Sequence, residues 1–207
     1  MIEKIGVVNF NNSNSLPLIK AFENLGYDTI LIEHPTNLSN VDRLVIPGVG
    51  HISAISQQIQ KEKFFSPMLQ FIASGRLVLG ICLGLHVLTE NSEEDFAAPI
   101  MGVLRAKVKK LDSVNYFDAP IPHVGWNSVD FIDSHPLFQG IPSGADFFFS
   151  HSFGIVETDE LIIGQTFHGQ RIISALSSQN VFGVQFHPEK SQVYGKRMLQ
   201  NFAELPD

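Results

Sequence analysis

The chain has 207 residues, of which 44% are hydrophobic and 17% charged, and its formal net charge is −7. This size and composition predict one folded domain over residues 1–207, and the few scattered cations disfavour nucleic acid as a partner. The single cysteine excludes an intrachain disulfide and favours a reducing, cytoplasmic compartment, and the short apolar runs argue against a membrane-spanning segment.

The first half of the chain alternates short apolar runs with helical patterns. Strands are predicted at 5–10, 29–32, 44–46 and 77–81, and helices at 16–25, at 65–73 and after residue 82. Strands that alternate with helices predict a parallel sheet covered on both faces. Ligands of such sheets bind at the carboxyl ends of the strands.

The middle of the chain, from about residue 100 to 149, loses the helical period and is punctuated by prolines. This pattern predicts an antiparallel β excursion. The tail returns to strands at 161–164, 172–175 and 181–186 and closes with a helix at 192–202. The predicted fold is therefore α/β, with a mostly parallel central sheet, helices on both faces and an antiparallel excursion in the middle of the chain.

The only cysteine lies in Gly80-Ile81-Cys82-Leu83-Gly84, where a predicted strand runs into a predicted helix. A strand that ends in G-x-C-x-G is the cysteine counterpart of a nucleophile elbow, whose tight turn leaves no room for side chains at the flanking positions. The start of a helix favours thiolate over thiol, and the amide of Leu83 is expected to face a developing oxyanion. Taken alone, the motif does not distinguish a nucleophile from a small core residue.

A candidate base, His187, follows the apolar run 181–186 and is therefore expected at the same sheet edge as Cys82. Glu189 lies two residues further on, and Pro188 between them restricts the backbone. The carboxylate can accept a hydrogen bond from one ring nitrogen while the other nitrogen faces the thiol. The pattern predicts a nucleophile, its base and the group that orients the base.

The segment Pro47-Gly48-Val49-Gly50 follows the strand predicted at 44–46, again at a carboxyl edge. Two glycines let a backbone approach a ligand and aim its amides inward, so this loop is the natural second oxyanion donor. A P-G-x-G turn is also a common strand exit with no function. Its position one strand before the cysteine favours the oxyanion role.

No metal or cofactor motif is present in the sequence. The seven histidines other than His187 lack H-x-x-x-H or H-x-H spacing, and the chain contains neither a P-loop nor a GxGxxG segment. We therefore expect no catalytic metal and no bound cofactor.

The motifs P-G-V-G, G-I-C-L-G and F-G-V-Q-F-H-P-E-K-S, in this order and spacing, resemble those of the class I (triad) glutamine amidotransferases. Two further segments, P-H-V-G-W-N at 122–127 and F-S-H-S-F at 149–153, are similar to motifs of the glutaminase subunits of imidazole glycerol phosphate synthase. The resemblance covers essentially the whole chain. It implies the class I glutamine amidotransferase fold over residues 1–207.

The resemblance also implies a reaction. Cys82 would attack the side-chain amide of L-glutamine, His187 would shuttle the proton and Glu189 would orient His187. The amides of Val49 and Leu83 would stabilise the oxyanion, and water would hydrolyse the resulting thioester to glutamate. Residues that match the family's glutamine-binding positions are Gly48, Gly50, His86, Ser152 and Phe153.

A partner follows from the same resemblance. Family members pass their ammonia to a (β/α)8 barrel synthase, the cyclase, with which they form a heterodimer in histidine biosynthesis. Positions that match the surface meeting that synthase are Pro122, Trp126, Asn127 and Lys190. Tryptophan suits an interface, because aromatic residues dominate binding hot spots, although a lone tryptophan is more often a core residue.

The sequence departs from the family pattern at three places. His86 stands where the family has a glutamine that holds substrate, and an imidazole cannot present an amide's donor and acceptor together. The loop at 9–15 lacks the acid and both glycines of the family's D-Y-G-x-G-N, and Phe153 replaces a common tyrosine.

Two alternatives therefore stay open beside the histidine-pathway glutaminase. One is a paralogue whose ammonia serves a sugar-modifying amidotransferase in surface polysaccharide synthesis. The other is a non-catalytic, partner-binding module on the same fold.

Overall fold

A computed structural model of the protein describes residues 4–10, 14–112, 119–132 and 135–206. The helices are α1 Ser15–Glu23, α2 Ile52–Lys61, α3 Phe65–Ala73, α4 Leu83–Leu88 and α5 Gln192–Glu204. The strands are β1 Lys4–Val8, β2 Asp28–Ile32, β3 Arg43–Gly48, β4 Val78–Cys82, β5 Thr89–Ser92, β6 Leu104–Lys110, β7 His123–Phe131, β8 Ala145–His151, β9 Phe153–Thr158, β10 Leu161–His168, β11 Gln170–Ser178 and β12 Val181–Val184.

The strands form a mixed sheet whose centre is parallel. Neighbouring strands run in the order β2, β1, β3, β4, β12, and every pair among these five is parallel. The sheet continues through β11, β10, β7 and β8 with antiparallel pairing. The predicted α/β fold with its antiparallel excursion is thus confirmed.

Two hydrophobic cores lie on opposite faces of the sheet. Consecutive residues of the central strands alternate between them: Val45 belongs to one core, whereas Leu44 and Ile46 belong to the other. Helices α1 and α5 bury their apolar residues in the first core, and α2, α3 and α4 bury theirs in the second. Helices therefore cover both faces, as the alternating pattern predicts.

Several elements differ from the sequence prediction. Helix α2 and strands β5 and β9 were not predicted, although Ile52, Ile55 and Ile59 of α2 mark one buried helix face. Strand β12 ends at Val184 instead of 186. Beyond it the backbone leaves the pairing with β4, and the amide of His187 donates to the carbonyl of Phe148 in β8. Three segments discussed above lie outside the described residues. They are 11–13 in the loop that departs from the family pattern, and 113–118 and 133–134 in the middle of the chain.

Within the described part of the chain, every helix is too short or too polar to cross a membrane.

Candidate active site

Strand pairing brings the predicted nucleophile and base to one edge of the sheet. In the parallel pair of β4 and β12, Val184 stands opposite Ile81, so the residues that follow both strands leave the sheet side by side. The amide of His187 donates to the carbonyl of Phe148 over 2.8 Å, which fixes the backbone of the base. Cys82 and His187 line the same cavity, as predicted.

The backbone at Cys82 is strained. Its φ of 53° and ψ of −113° lie in a region that L-residues rarely occupy, at a typical cost of about 1–3 kcal/mol. Helix α4 begins at the next residue, so the chain reverses within a single position. This is the geometry of a nucleophile elbow, which confirms the local structure predicted from G-x-C-x-G.

The two glycines of the motif are required by packing. A Cβ on Gly84 would overlap the carbonyl oxygen of Ile46, and a Cβ on Gly80 would lie 2.9 Å from the carbonyl oxygen of Gly84. Both obstacles are backbone atoms, which cannot rotate away. The glycines therefore let α4 lie directly on β3 and β4 and hold Cys82 in its strained conformation.

The cavity beside Cys82 has a volume of about 140 Å³. It is lined by residues from five separate parts of the chain: Val49, Gly50, Cys82, Leu83, His86, Glu94, Ser150, His151, Ser152, Phe153, His187 and Lys190. Both predicted oxyanion residues and four of the five predicted glutamine-binding residues are among them. Gly48 is the exception, because it ends β3 underneath α4 and does not line the cavity.

Glu189 lies behind His187, away from the cavity. Its carboxylate Oε1 accepts hydrogen bonds from His187 Nδ1 at 2.9 Å and from Asn14 Nδ2 at 3.0 Å, and its side chain is fully buried. This confirms the predicted contact between base and carboxylate. Sequence reasoning missed Asn14, whose contact with Glu189 spans 175 positions of the chain.

The electrostatics of His187 favour its charged form. Burial alone lowers the pKa of His187, but the negative charge of Cys82 and the hydrogen bonds to Cys82 and Glu189 raise it to about 10. The imidazole is therefore protonated near neutral pH and is hydrogen-bonded to the Cys82 sulfur. A proton is thus available for a leaving group within the cavity.

A second buried histidine, His86, is neutral in the same cavity. Burial lowers its pKa to about 4, although its hydrogen bond to Gln185 acts in the opposite direction. His86 Nε2 lies 2.8 Å from Gln185 Oε1, and Gln185 Nε2 donates to Cys82 Sγ over 3.7 Å. No partner for His86 Nδ1 is found among residues 4–10, 14–112, 119–132 and 135–206.

Glu94 is a cavity residue that sequence reasoning missed. It follows β5, where no motif marks it, and its carboxylate accepts a hydrogen bond from the amide of Ile52 at 3.1 Å. Burial raises the pKa of Glu94, partly offset by the nearby His51, whose Nε2 lies 3.8 Å from the carboxylate. The carboxylate places an acidic group inside the cavity.

A row of hydrogen bonds joins the cavity to an outer groove, which is lined by residues 119–120, 123–127 and 167–169. His151 Nδ1 donates to the carbonyl of Phe153 at 2.8 Å, His123 Nδ1 and His151 Nε2 lie 2.9 Å apart, and Asn127 Nδ2 lies 3.2 Å from His123 Nε2. Burial lowers the pKa of His151 to about 3 and is also the main reason that the pKa of His123 falls to about 4. Both rings are therefore neutral.

The predicted partner-binding residues lie on the outside of the molecule. Trp126 in β7 is 49% exposed and packs edge-on against Phe148, so it is not a core residue. Pro122 is exposed just before β7, and Asn127 lines the same outer groove as Trp126. Lys190 is exposed at the mouth of the cavity, with its Nζ 5.5 Å from the centre of the Phe148 ring.

The buried neutral histidines predict a loss of stability in weak acid. The unfolded chain binds protons at His86 and His151 below about pH 6.5, whereas the folded chain does not until near pH 4 or 3. The free energy of unfolding should therefore fall between about pH 7 and pH 5, by roughly 1–2 kcal/mol for each histidine. Denaturant titrations at several pH values measure this. His86→Gln should make the dependence shallower, and an equally steep dependence in that variant contradicts the assignment.

Comparisons with known proteins agree with this geometry. The profile of the class-I glutamine amidotransferase family matches residues 6–205. The chain is 36% identical over 211 residues to imidazole glycerol phosphate synthase subunit HisH of Photobacterium profundum, covering 98% of both chains. It is 32% identical over 202 residues to subunit HisH 1 of Campylobacter jejuni, covering 97% of this chain and all of the relative.

Solved structures show the same fold. The structure of PurLQS from Thermotoga maritima superposes with a TM-score of 0.75 at 20% identity and covers 99% of both chains. The family profile and the HisH relatives each span nearly the whole chain. The chain therefore belongs to the class-I glutamine amidotransferase family and, within it, to the family of HisH subunits of imidazole glycerol phosphate synthase.

Proposed function

We propose that the protein hydrolyses L-glutamine to glutamate and ammonia through a thioester on Cys82. The observation that carries the proposal is the hydrogen-bonded pair of Cys82 and His187 beside a small cavity, with Glu189 buried behind the base. A thiolate at a strained elbow is positioned to attack a carbonyl carbon, and the adjacent imidazolium can protonate a leaving amine. The HisH relatives support the same reaction.

The reaction proceeds in two halves. Cys82 Sγ attacks the carboxamide carbon, and the amides of Val49 and Leu83 stabilise the oxyanion. The C–N bond then breaks as His187 donates its proton, so that ammonia leaves and a γ-glutamyl thioester remains. His187, now neutral, takes a proton from water, whose oxygen attacks the thioester; the C–S bond breaks, its electron pair returns to sulfur and glutamate is released.

The cavity offers contacts for the rest of the substrate. The Glu94 carboxylate suits the α-ammonium group of glutamine, and the segment Ser150–Phe153 and Gly50 also line the cavity. His86 contributes only an acceptor at Nδ1, because its Nε2 is engaged with Gln185. These groups together select a small amino acid that carries a side-chain amide.

Replacing the nucleophile tests this proposal directly. Cys82→Ala should abolish release of glutamate from glutamine, because no other thiol exists in the chain. Glu189→Gln should lower kcat by roughly 100-fold or more, because the base loses the carboxylate that stabilises its charge. A coupled glutamate assay measures both variants, with circular dichroism as the control for folding. Undiminished turnover in Cys82→Ala contradicts the mechanism.

We further propose that the ammonia passes to a (β/α)8 cyclase in a cytoplasmic heterodimer that makes imidazole glycerol phosphate for histidine biosynthesis. The names of the HisH relatives describe subunits of that synthase. The outer groove supports a docked partner, since Val124, Trp126 and Phe167 expose 59%, 49% and 67% of their surface there. Exposed aromatic side chains, Trp above all, are typical of binding interfaces and their hot spots.

The docking face is tested by a matched pair of variants. Trp126→Ala should weaken binding to the cyclase by about 30-fold or more, because a central tryptophan of an interface is typically worth about 2 kcal/mol. Leu161→Ala is the control, since Leu161 is 58% exposed but lies outside the groove. Isothermal titration calorimetry measures both affinities. Equal affinities for the two variants contradict the assignment of this face.

His86 favours a second candidate, the paralogue that serves surface polysaccharide synthesis, because it changes a substrate-facing position. Complementation separates the two pathways. If the histidine pathway is correct, the gene should restore growth without histidine to a bacterium that lacks its own HisH subunit, and the Cys82→Ala variant should not. Failure of an expressed, folded protein to restore growth favours the paralogue. Covalent labelling of Cys82 by an electrophilic glutamine analogue excludes the non-catalytic module.

A further inference from the structure

Gln185 occupies a special position beside the nucleophile. Val184 pairs with Ile81, so Gln185, directly after β12, lies next to Cys82, the last residue of the adjacent parallel strand β4. The side chain of Gln185 is fully buried, and its amide nitrogen lies 3.7 Å from Cys82 Sγ. The backbone amide of Gln185 donates to the carbonyl of Ser174 at 2.9 Å, which fixes the base of the side chain.

The orientation of the Gln185 amide is set from its other end. Gln185 Oε1 can only accept a hydrogen bond, so His86 Nε2, 2.8 Å away, must donate its proton to it. His86 is neutral in this environment, since burial lowers its pKa to about 4. The reversed amide would place Oε1 against the sulfur and leave a Cys82 thiolate without this donor. In the observed orientation both ends of the Gln185 amide have a partner, His86 at one end and Cys82 at the other.

We propose that Gln185 is a second hydrogen-bond donor to the Cys82 thiolate, beside His187, and that His86 is the positioning residue that holds the Gln185 amide toward the sulfur. The inference rests on the proposed glutaminase function and adds a residue to its machinery. Cys82 directly precedes α4 and His86 lies within it, so one short helix connects the nucleophile to the anchor of the amide. Four residues and two strands thus build one connected unit.

The contact acts at two points of the reaction. Before attack, it stabilises the negative sulfur and restricts its position opposite the oxyanion donors. When the thioester forms, the sulfur loses its charge and the hydrogen bond weakens. When the second tetrahedral intermediate collapses, the C–S electron pair returns to sulfur, and the Gln185 amide again donates to the departing thiolate. The second half of the reaction should therefore depend on Gln185 more than substrate binding does.

Alkylation of the sole cysteine tests the unit without glutamine. The rate of reaction of Cys82 with iodoacetamide is measured between about pH 5 and pH 9, where it follows the thiolate population. Gln185→Met removes the donor at similar size, and we expect the alkylation profile to move to higher pH by about one unit. His86→Leu frees the amide to rotate and should move the profile in the same direction by a smaller amount. His86→Gln retains a donor toward Gln185 Oε1 and should leave the profile near that of the natural protein.

Gln165→Met in β10 is the matched control, because this half-buried strand residue does not line the cavity. Thermal melting of every variant shows which ones are folded, and His86→Leu keeps the test decisive if Gln185→Met does not fold. Unchanged profiles in the folded Gln185→Met and His86→Leu proteins would overturn the inference. A shifted profile in a protein that does not hydrolyse glutamine supports the contact and refutes the proposed function. Hydrolysis of glutamine by the natural protein, with unshifted alkylation profiles in the variants, supports the proposed function and refutes the contact.

Discussion

The parallel pairing of β4 with β12 is the contact on which the site depends. It places Gln185 next to Cys82, and His187 two residues beyond, although these residues lie about a hundred positions apart in the chain. The whole antiparallel excursion intervenes between the two strands in sequence. A one-residue slip of this register would turn the side chain at 185 to the opposite face of the sheet and remove its contact with the sulfur.

The strain at Cys82 persists because its surroundings leave no alternative. All six residues of α4 are buried, and the helix can approach β3 and β4 only because Gly80 and Gly84 lack side chains. Burial of this helix offsets a local backbone cost of about 1–3 kcal/mol. The stability of the second core thus maintains a conformation that the cysteine would not adopt in a free peptide. Packing of α4 in this way fixes the orientation of the nucleophile.

The sequence predicted the features that are encoded locally and missed those that arise from long-range packing. The elbow, the pair of His187 and Glu189, and the alternation of strands with helices each depend on residues close together in the chain, and each was found. Asn14, Glu94 and Gln185 enter the site through contacts that span 175, 42 and 103 positions. No local pattern marks a residue whose role is created by strand order and register. Helix α2 is different, because its buried isoleucines have a helical spacing and the local sequence was therefore sufficient to predict it.

Two histidines line one cavity but differ in charge, because their neighbours differ: His187 is protonated and His86 is neutral. His187 contacts the Cys82 sulfur and the Glu189 carboxylate, whose combined effect outweighs that of burial, whereas His86 contacts a neutral amide and stays uncharged. A neutral imidazole has one proton, and the contact with Gln185 uses it. The remaining nitrogen can only accept, whereas the amide of a glutamine at this position could donate on one side and accept on the other. His86 therefore supplies a donor to the amide that contacts the nucleophile and leaves only an acceptor toward the cavity.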